Sequence, residues 1–238
     1  MPGWLVNKVR NGEYPMAAGR TEMRYSSLLS LVQASRLDIF AALHPADGSA
    51  PEGCQTLLLL GPHEPAFWRH VSQSREFRDR LPDPLERWSR RVIGALAQRV
   101  QAVAIFPSDG PPHPSFIAWA LASGWIQRSP VGLLVHEKAG LWLSFRGALA
   151  LPHYVELPAA PENPCARCND QPCRTACPVD ALHATHYDVA ACRSWLDTDQ
   201  RRACMTRGCA ARRACPAGRE YGRLTEQSAF HMKAFHPG

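Results

Sequence analysis

Eight of the nine cysteines lie between Cys165 and Cys215, and two of them stand directly before proline, at Cys177-Pro178 and Cys215-Pro216. Thiolates at this density bind iron–sulfur cubes, bind zinc, or pair as disulfides. The first group reads Cys165-Ala-Arg-Cys168-Asn-Asp-Gln-Pro-Cys173-Arg-Thr-Ala-Cys177-Pro178. The second runs Cys192, Cys204, Cys209, Cys215-Pro216, with gaps of eleven, four and five residues. Each group supplies three cysteines and then one before proline.

The first group is similar to the bacterial ferredoxin run C-x2-C-x2-C-x3-C-P, lengthened by two residues in the loop Asn169 to Pro172. In two-cluster ferredoxins the cysteine before proline ligates the other cluster, because a short C-x2-C stretch wraps only one corner of a cube. Applied to this chain, that rule predicts one [4Fe-4S] cluster on Cys165, Cys168, Cys173 and Cys215. It predicts a second on Cys177, Cys192, Cys204 and Cys209. Paired zinc sites compete for the same thiols but give no reason for a Cys-Pro at the end of each group. Four disulfides compete as well. They require an oxidising compartment, and residues 1–25, carrying Lys8, Arg10, Arg20 and Arg24, contain no apolar run of secretory length. Cys54, beside the Gly-rich connection Asp47 to Gly53, reads as a bystander.

Composition bounds the rest. The 238 residues suffice for a large domain plus a small appendage. No stretch approaches eighteen apolar residues, so a membrane partner is not expected, and the cysteine usage suits a reducing, cytoplasmic setting. The formal charge of +6 counts thiols as neutral. Two clusters on eight thiolates lower it by about four units, so overall charge makes no case for nucleic acid. Arg201, Arg202, Arg207, Arg212 and Arg213 occur with no acidic residue among them. They read first as a solvated face that offsets cluster charge, and alternatively as a docking face for an acidic redox partner or a phosphate backbone.

Elements that must position these groups are visible upstream. Leu157-Pro-Ala-Ala-Pro-Glu-Asn-Pro164 is a proline-rich linker that divides an N-terminal domain (1–157) from a cysteine-bearing one (165–238), with the linker itself at 158–164. Ile39 to Leu43, Thr56 to Leu60 and Val103 to Phe106 are short apolar runs that suit buried strands. Asp83-Pro84 with Glu86 predicts a helix start, followed by a face of Leu85, Trp88, Val92, Leu96 and Val100. Ser26 to Ser35 and Pro65 to Phe77 are further helix candidates. Alternating strand and helix is the order of an α/β layer fold. Val131 to Val135 and Leu141 to Phe145 flank Glu137-Lys-Ala-Gly140 and read as a hairpin. The expected fold class is α/β (α+β) for the N-terminal domain, with a small C-terminal 2[4Fe-4S] ferredoxin-like domain.

Several motifs, in order, resemble the epoxyqueuosine reductases across roughly residues 80–216. These are Pro107-Ser-Asp109-Gly-Pro-Pro, Gly124-Trp125-Ile126, the stretch His136-Glu-Lys-Ala-Gly140-Leu-Trp142-Leu-Ser-Phe145-Arg-Gly147, and Cys192-Arg-Ser194-Trp-Leu196. The resemblance implies a nitroreductase-like domain, related to the cobalamin-processing chaperone fold, joined to a two-cluster module. It implies a cobalamin or other corrinoid between them that receives electrons from the clusters. By the same resemblance Asp109 matches the proton donor; the alternative from the residues is a turn aspartate in Ser108-Asp109-Gly110-Pro111. His136 is either a corrinoid contact or a hairpin residue bonding backbone. Trp125, Trp142 and Phe145 are either a wall against the macrocycle or core. A redox donor such as a flavodoxin, ferredoxin or reductase is the expected partner. The family's C-terminal helical-repeat region, which helps grip tRNA, has no counterpart in the 22 residues after Pro216, so tRNA is not. Against this enzymatic reading stands a non-catalytic electron carrier whose N-terminal domain docks a redox partner.

Overall fold

The fold, taken from a computed structural model, is described for residues 23–46 and 48–237. Most of the residues from which a secretory signal was judged, and part of the connection before Cys54, lie outside that range.

The helix α1 (Tyr25–Ala34) leads into an antiparallel pair, β1 (Leu37–Leu43) and β2 (Thr56–Pro62). Three helices follow, α2 (Ala66–Val71), α3 (Arg75–Arg78) and α4 (Pro84–Arg99), and then β3 (Val103–Ile105), α5 (Phe116–Ala122), β4 (Ile126–Arg128), β5 (Leu134–His136) and β6 (Gly147–Leu151). Beyond the proline-rich stretch come α6 (Val189–Leu196), α7 (Arg202–Arg207), α8 (Ala210–Ala214) and α9 (Thr225–Phe235). Among the described residues no helix is long and apolar enough to cross a membrane.

The main sheet has the order β1-β2-β6-β3, and every pairing in it is antiparallel. The architecture is therefore mixed α and β rather than the parallel α/β layering that strand–helix alternation suggests. The physical reason is that β1 connects to β2 with no helix between them, and β6, last in sequence, enters between β2 and β3. All seven residues of β2 are buried, as expected of a strand covered on both faces.

Local chemistry moves two expected boundaries. The Pro65 to Phe77 helix is broken at Ser72 to Ser74, where the Ser72 hydroxyl donates to Trp68 O at 2.7 Å and the chain turns before α3. Asp83 is left-handed (φ 51°) and makes no side-chain cap. Arg87 organises that corner instead, donating to Glu76 O, Leu81 O and Pro82 O and pairing with Asp79 at 2.6 Å. The buried face of α4 accordingly runs through Ile93, with Val92 only half-buried.

The expected hairpin is half formed. β5 pairs with β4, and His136 and Gly140 close a tight turn through two backbone hydrogen bonds of 3.1 and 2.8 Å. Leu141 to Phe145 is not a strand; the side chains of Leu141 to Ser144 line the two cysteine cavities, and Phe145 turns toward Phe116. A second, small apolar cluster forms there from Val131, Val135, Leu141, Cys173, Leu182, Ala211 and Cys215. The tail then returns to the main sheet. Tyr221 donates to Pro62 O at 2.6 Å, and Phe230 packs against Trp68 and Phe77 with centroids at 5.1 and 5.6 Å.

Candidate metal centres

All nine cysteines are free thiols. Eight of them surround two separate cavities, four to each. Cys165, Cys168, Cys173 and Cys215 line the smaller, about 20 Å³. Cys177, Cys192, Cys204 and Cys209 line the larger, about 280 Å³.

Short local devices aim these thiols. Asn163 accepts from Cys165 N through its side chain at 2.9 Å, starting the turn Pro164–Arg167. Asp188 caps α6 by accepting from Ala191 N at 2.8 Å, which places Cys192 in the helix's first turn. Gly208, at φ 87°, ends α7 after Cys204 and leaves Cys209 as the residue opening α8. Cys215 closes α8 in the extended conformation that a following proline imposes. Cys209 and Cys215 thus flank one five-residue helix and serve different cavities. Cys173 and Cys177, four residues apart, do the same.

Electrostatics follow the same division. The Cys165 thiol is pushed up to about 11, first by burial and then by Cys215, Cys173 and Cys168. Burial likewise raises Cys173, with Cys215 and Cys168 adding to it. Burial also raises Cys192, against a hydrogen bond from Tyr187 that pulls it down, and Cys209, Cys177 and Cys204 repel its charged form. Four thiolates set this way oppose one another's ionisation, and only bound cations let all four stay charged. Among the described residues no three His, Cys, Asp or Glu side chains converge to hold a single ion. The thiols stand around cavities rather than around a point.

The β5 turn builds the wall between the cavities. Val135 and Leu141 face the smaller one, whereas Leu133, Trp142, Leu143 and Ser144 face the larger. Gly140 (φ +52°) is where this turn meets the second Cys-Pro: an added Cβ would lie 2.5 Å from Gly218 N and 3.0 Å from Cys215 Sγ. Gly208 is crowded similarly, by the Trp142 ring at 2.9 Å.

No family model, curated protein or solved structure matches the chain. Its own geometry therefore carries the assignment of the remaining candidates.

Asp109 is half-buried in the turn that follows β3. Its Oδ1 pairs with Arg90 at 2.7 Å and its Oδ2 accepts from Phe106 N at 2.8 Å, so it serves as a turn residue there. His136 is 4 % exposed, lies 4.8 Å from the Phe40 ring, and accepts from Lys138 N and Ala139 N through Nδ1. Burial holds its pKa down to about 4, so it is a neutral acceptor that pins the turn. Trp125 is core, edge-on to Tyr25 at 6.0 Å. Phe145 packs on Phe116 and lines a third cavity with Arg90, Phe106 and Ser108. Only Trp142 reaches the large cavity, so these aromatic residues do not gather around one space. Cys54 is a half-buried thiol donating to Thr56 O and lines neither cysteine cavity.

Sequence reasoning missed a set of basic residues. Arg146, Arg212, Arg223 and His231 all line the larger cavity. Arg212 had a signal, as a member of the arginine run, but its reading as solvated is corrected by the structure: it is half-buried and donates to Leu141 O. Arg201, Arg202 and Arg207 are exposed as expected, whereas Arg213 is half-buried and donates to Gly208 O at 3.1 Å. Arg146, Arg223 and His231 carried no signal, being far apart in sequence and aperiodic.

Proposed function

We propose that the chain binds two [4Fe-4S] clusters, one on Cys165, Cys168, Cys173 and Cys215 and the other on Cys177, Cys192, Cys204 and Cys209, and acts as a single-electron relay. The observation that carries this reading is the crossed division of the thiols: each Cys-Pro cysteine lines the cavity of the other group. Four free thiols around a cavity suit a polynuclear group, whose ligands stand farther apart than those of one tetrahedral ion. When bound, such clusters supply one-electron oxidation and reduction.

This chain's own residues tune that chemistry. Ala181 N donates to Cys177 Sγ at 3.3 Å, and Tyr187 donates to Cys192. Hydrogen bonds to ligand sulfur and nearby positive charge stabilise the reduced, more negative state and raise the potential. Arg212 beside Cys209 acts the same way. The smaller cavity has no charged side chain in its lining beyond the thiols, so the two centres differ in potential, the second being the higher. Exposed Arg201, Arg202 and Arg207 near the second quartet suit an acidic redox donor such as a flavodoxin or ferredoxin. The corrinoid is not carried into this proposal, because Trp125, Trp142, Phe145, His136 and Asp109 share no cavity.

Anaerobically purified protein should be brown and hold about eight iron atoms per chain. Cys173→Ala and Cys177→Ala should each keep about four, and low-temperature EPR of the reduced variants should show different surviving signals. A colourless protein, or two variants with identical residual spectra, sinks the assignment.

A further inference from the structure

The two quartets would seat the same kind of cube, yet their cavities are unlike. One measures about 20 Å³ and the other about 280 Å³. The larger approaches the lower end of the volumes of small-molecule sites.

Charge is as uneven as volume. Arg146, Arg212, Arg223 and His231 line the larger cavity, and no basic residue lines the smaller. If the three arginines served only to offset cluster charge, the first quartet would need its share. Their own partners are few. Arg146 meets Glu86 at 3.6 Å, Arg212 donates to Leu141 O, and Arg223 donates to Ser228 Oγ at 3.1 Å while lying 5.4 Å over the Trp142 ring. Burial first, and then Arg223, Arg146 and Arg212, hold the His231 pKa down to about 3. Burial, with repulsion from Arg212 and Arg146, lowers Arg223 to about 10 despite attraction from Glu64. Three guanidinium groups drawn together beside a neutral histidine call for an anion among them.

Unmet hydrogen-bonding capacity points the same way. Ser144 Oγ, Arg146 Nε, Trp195 Nε1 and Arg223 Nη1 are buried without a partner, and all four belong to residues lining the larger cavity. The smaller has one such atom, Ser129 Oγ. Four unmet buried groups on its lining residues, against one on the other's, leave the wall of the larger cavity the less satisfied. The rest of the wall is apolar, with Leu133, Trp142, Leu143, Met232 and Phe235.

We propose that the space beside the Cys177, Cys192, Cys204 and Cys209 quartet binds a small molecule with an oxyanion head, carboxylate or phosphate, and a flat apolar body. Arg146 and Arg223 take the head, guanidinium forks being matched to two-oxygen anions. Trp142 and Phe235 take the body. The site rests on the two-cluster reading, since it is the room left beside a cluster.

Iron-replete holoprotein, prepared anaerobically, is titrated calorimetrically with benzoate, with inorganic phosphate and with benzyl alcohol. Benzoate should bind saturably with a Kd of about 1 mM or tighter, phosphate more weakly, and benzyl alcohol not at all. Arg223→Gln and Arg146→Lys should each weaken benzoate at least about tenfold at unchanged iron content, the second by losing the fork while keeping the charge. If Arg223→Gln does not hold its iron, Arg146→Lys decides alone. The proposal is overturned if iron-replete protein ignores both anions, if benzyl alcohol binds as well as benzoate, or if Arg146→Lys leaves the benzoate affinity unchanged. It is overturned too if the arginine variants shift a cluster potential in a protein that binds no benzoate. A protein that takes up no iron removes the two-cluster reading and this site with it; an iron-replete protein indifferent to benzoate removes this site alone.

Discussion

Replacing Gly140 with alanine puts a methyl group where the β5 turn presses on the second Cys-Pro segment. At φ +52° an L residue pays roughly 1–2 kcal/mol for the left-handed backbone. The methyl would also sit 2.5 Å from Gly218 N, 2.8 Å from Gly218 Cα and 3.0 Å from Cys215 Sγ. Those distances lie well inside the separation at which non-bonded atoms attract, and two of the three neighbours are backbone that cannot rotate away. Overpacking of this kind adds about 1–3 kcal/mol, giving about 2–5 kcal/mol in all. For a chain of this size that lowers Tm by about 4–20 °C. Because Cys215 must move, the loss should fall on the first quartet, leaving about four of eight iron atoms. Gly94 within α4 is the control, since a Cβ there meets nothing within 4 Å. Gly94→Ala should hold or raise Tm, helical alanine being favoured over glycine by about 1 kcal/mol. Circular dichroism melts with iron analysis read both variants. A Gly140→Ala protein that melts within about 2 °C of the parent with full iron refutes the seat described for Cys215.

Two further outcomes follow from buried charge. His136, held near 4 by burial, has a folded-state pKa below the ordinary value of about 6.5. Its neutral form is therefore favoured by folding: the contribution is complete above about 6.5 and is lost as pH falls toward 4, up to about 3 kcal/mol. Imidazole NMR should show His136 and His231 both still unprotonated at about pH 5.5, and loss of one of the two resonances in His136→Ala assigns it; a His136 midpoint near 6.5 refutes the burial argument. Glu76 is held well below the usual carboxylate range, chiefly by Arg91, whose Nε and Nη2 donate at 2.5 and 3.0 Å. Its stabilisation is present above the ordinary glutamate value of about 4.3 and fades as pH falls below it. With Arg91 40 % exposed, Glu76→Gln should cost about 1–2 kcal/mol at pH 7, a discount from a fully buried pair. An unchanged urea midpoint at pH 7 counts against the pair's contribution.

The strands β1, β2 and β3 were legible because each is a short apolar run closed by proline or polar residues, a signal contained within the run itself. Their pairing was not, because antiparallel order here depends on β6, whose Gly147 to Leu151 sequence carries no mark of its neighbours. The Asp83 cap misled for a similar reason: Arg87, four residues on, reorganises the corner by reaching across to Glu76 and Asp79. His136 and Trp125 stood out by residue type, and residue type does not say whether a ring faces a ligand or the core.

What the amino-acid order alone determined is the division of the cysteines into two crossed quartets. Proline after a cysteine holds the backbone extended and sends the next segment away, and that constraint acts within a few residues. Only the tertiary structure decided that the two quartets stand in unlike surroundings. Arg146 comes from the entrance to β6, Arg212 from α8, and Arg223 and His231 from the returning tail. They meet because Tyr221 anchors that tail to β2 and Phe230 packs it on α2 and α3, a consequence of burying apolar surface between segments more than a hundred residues apart.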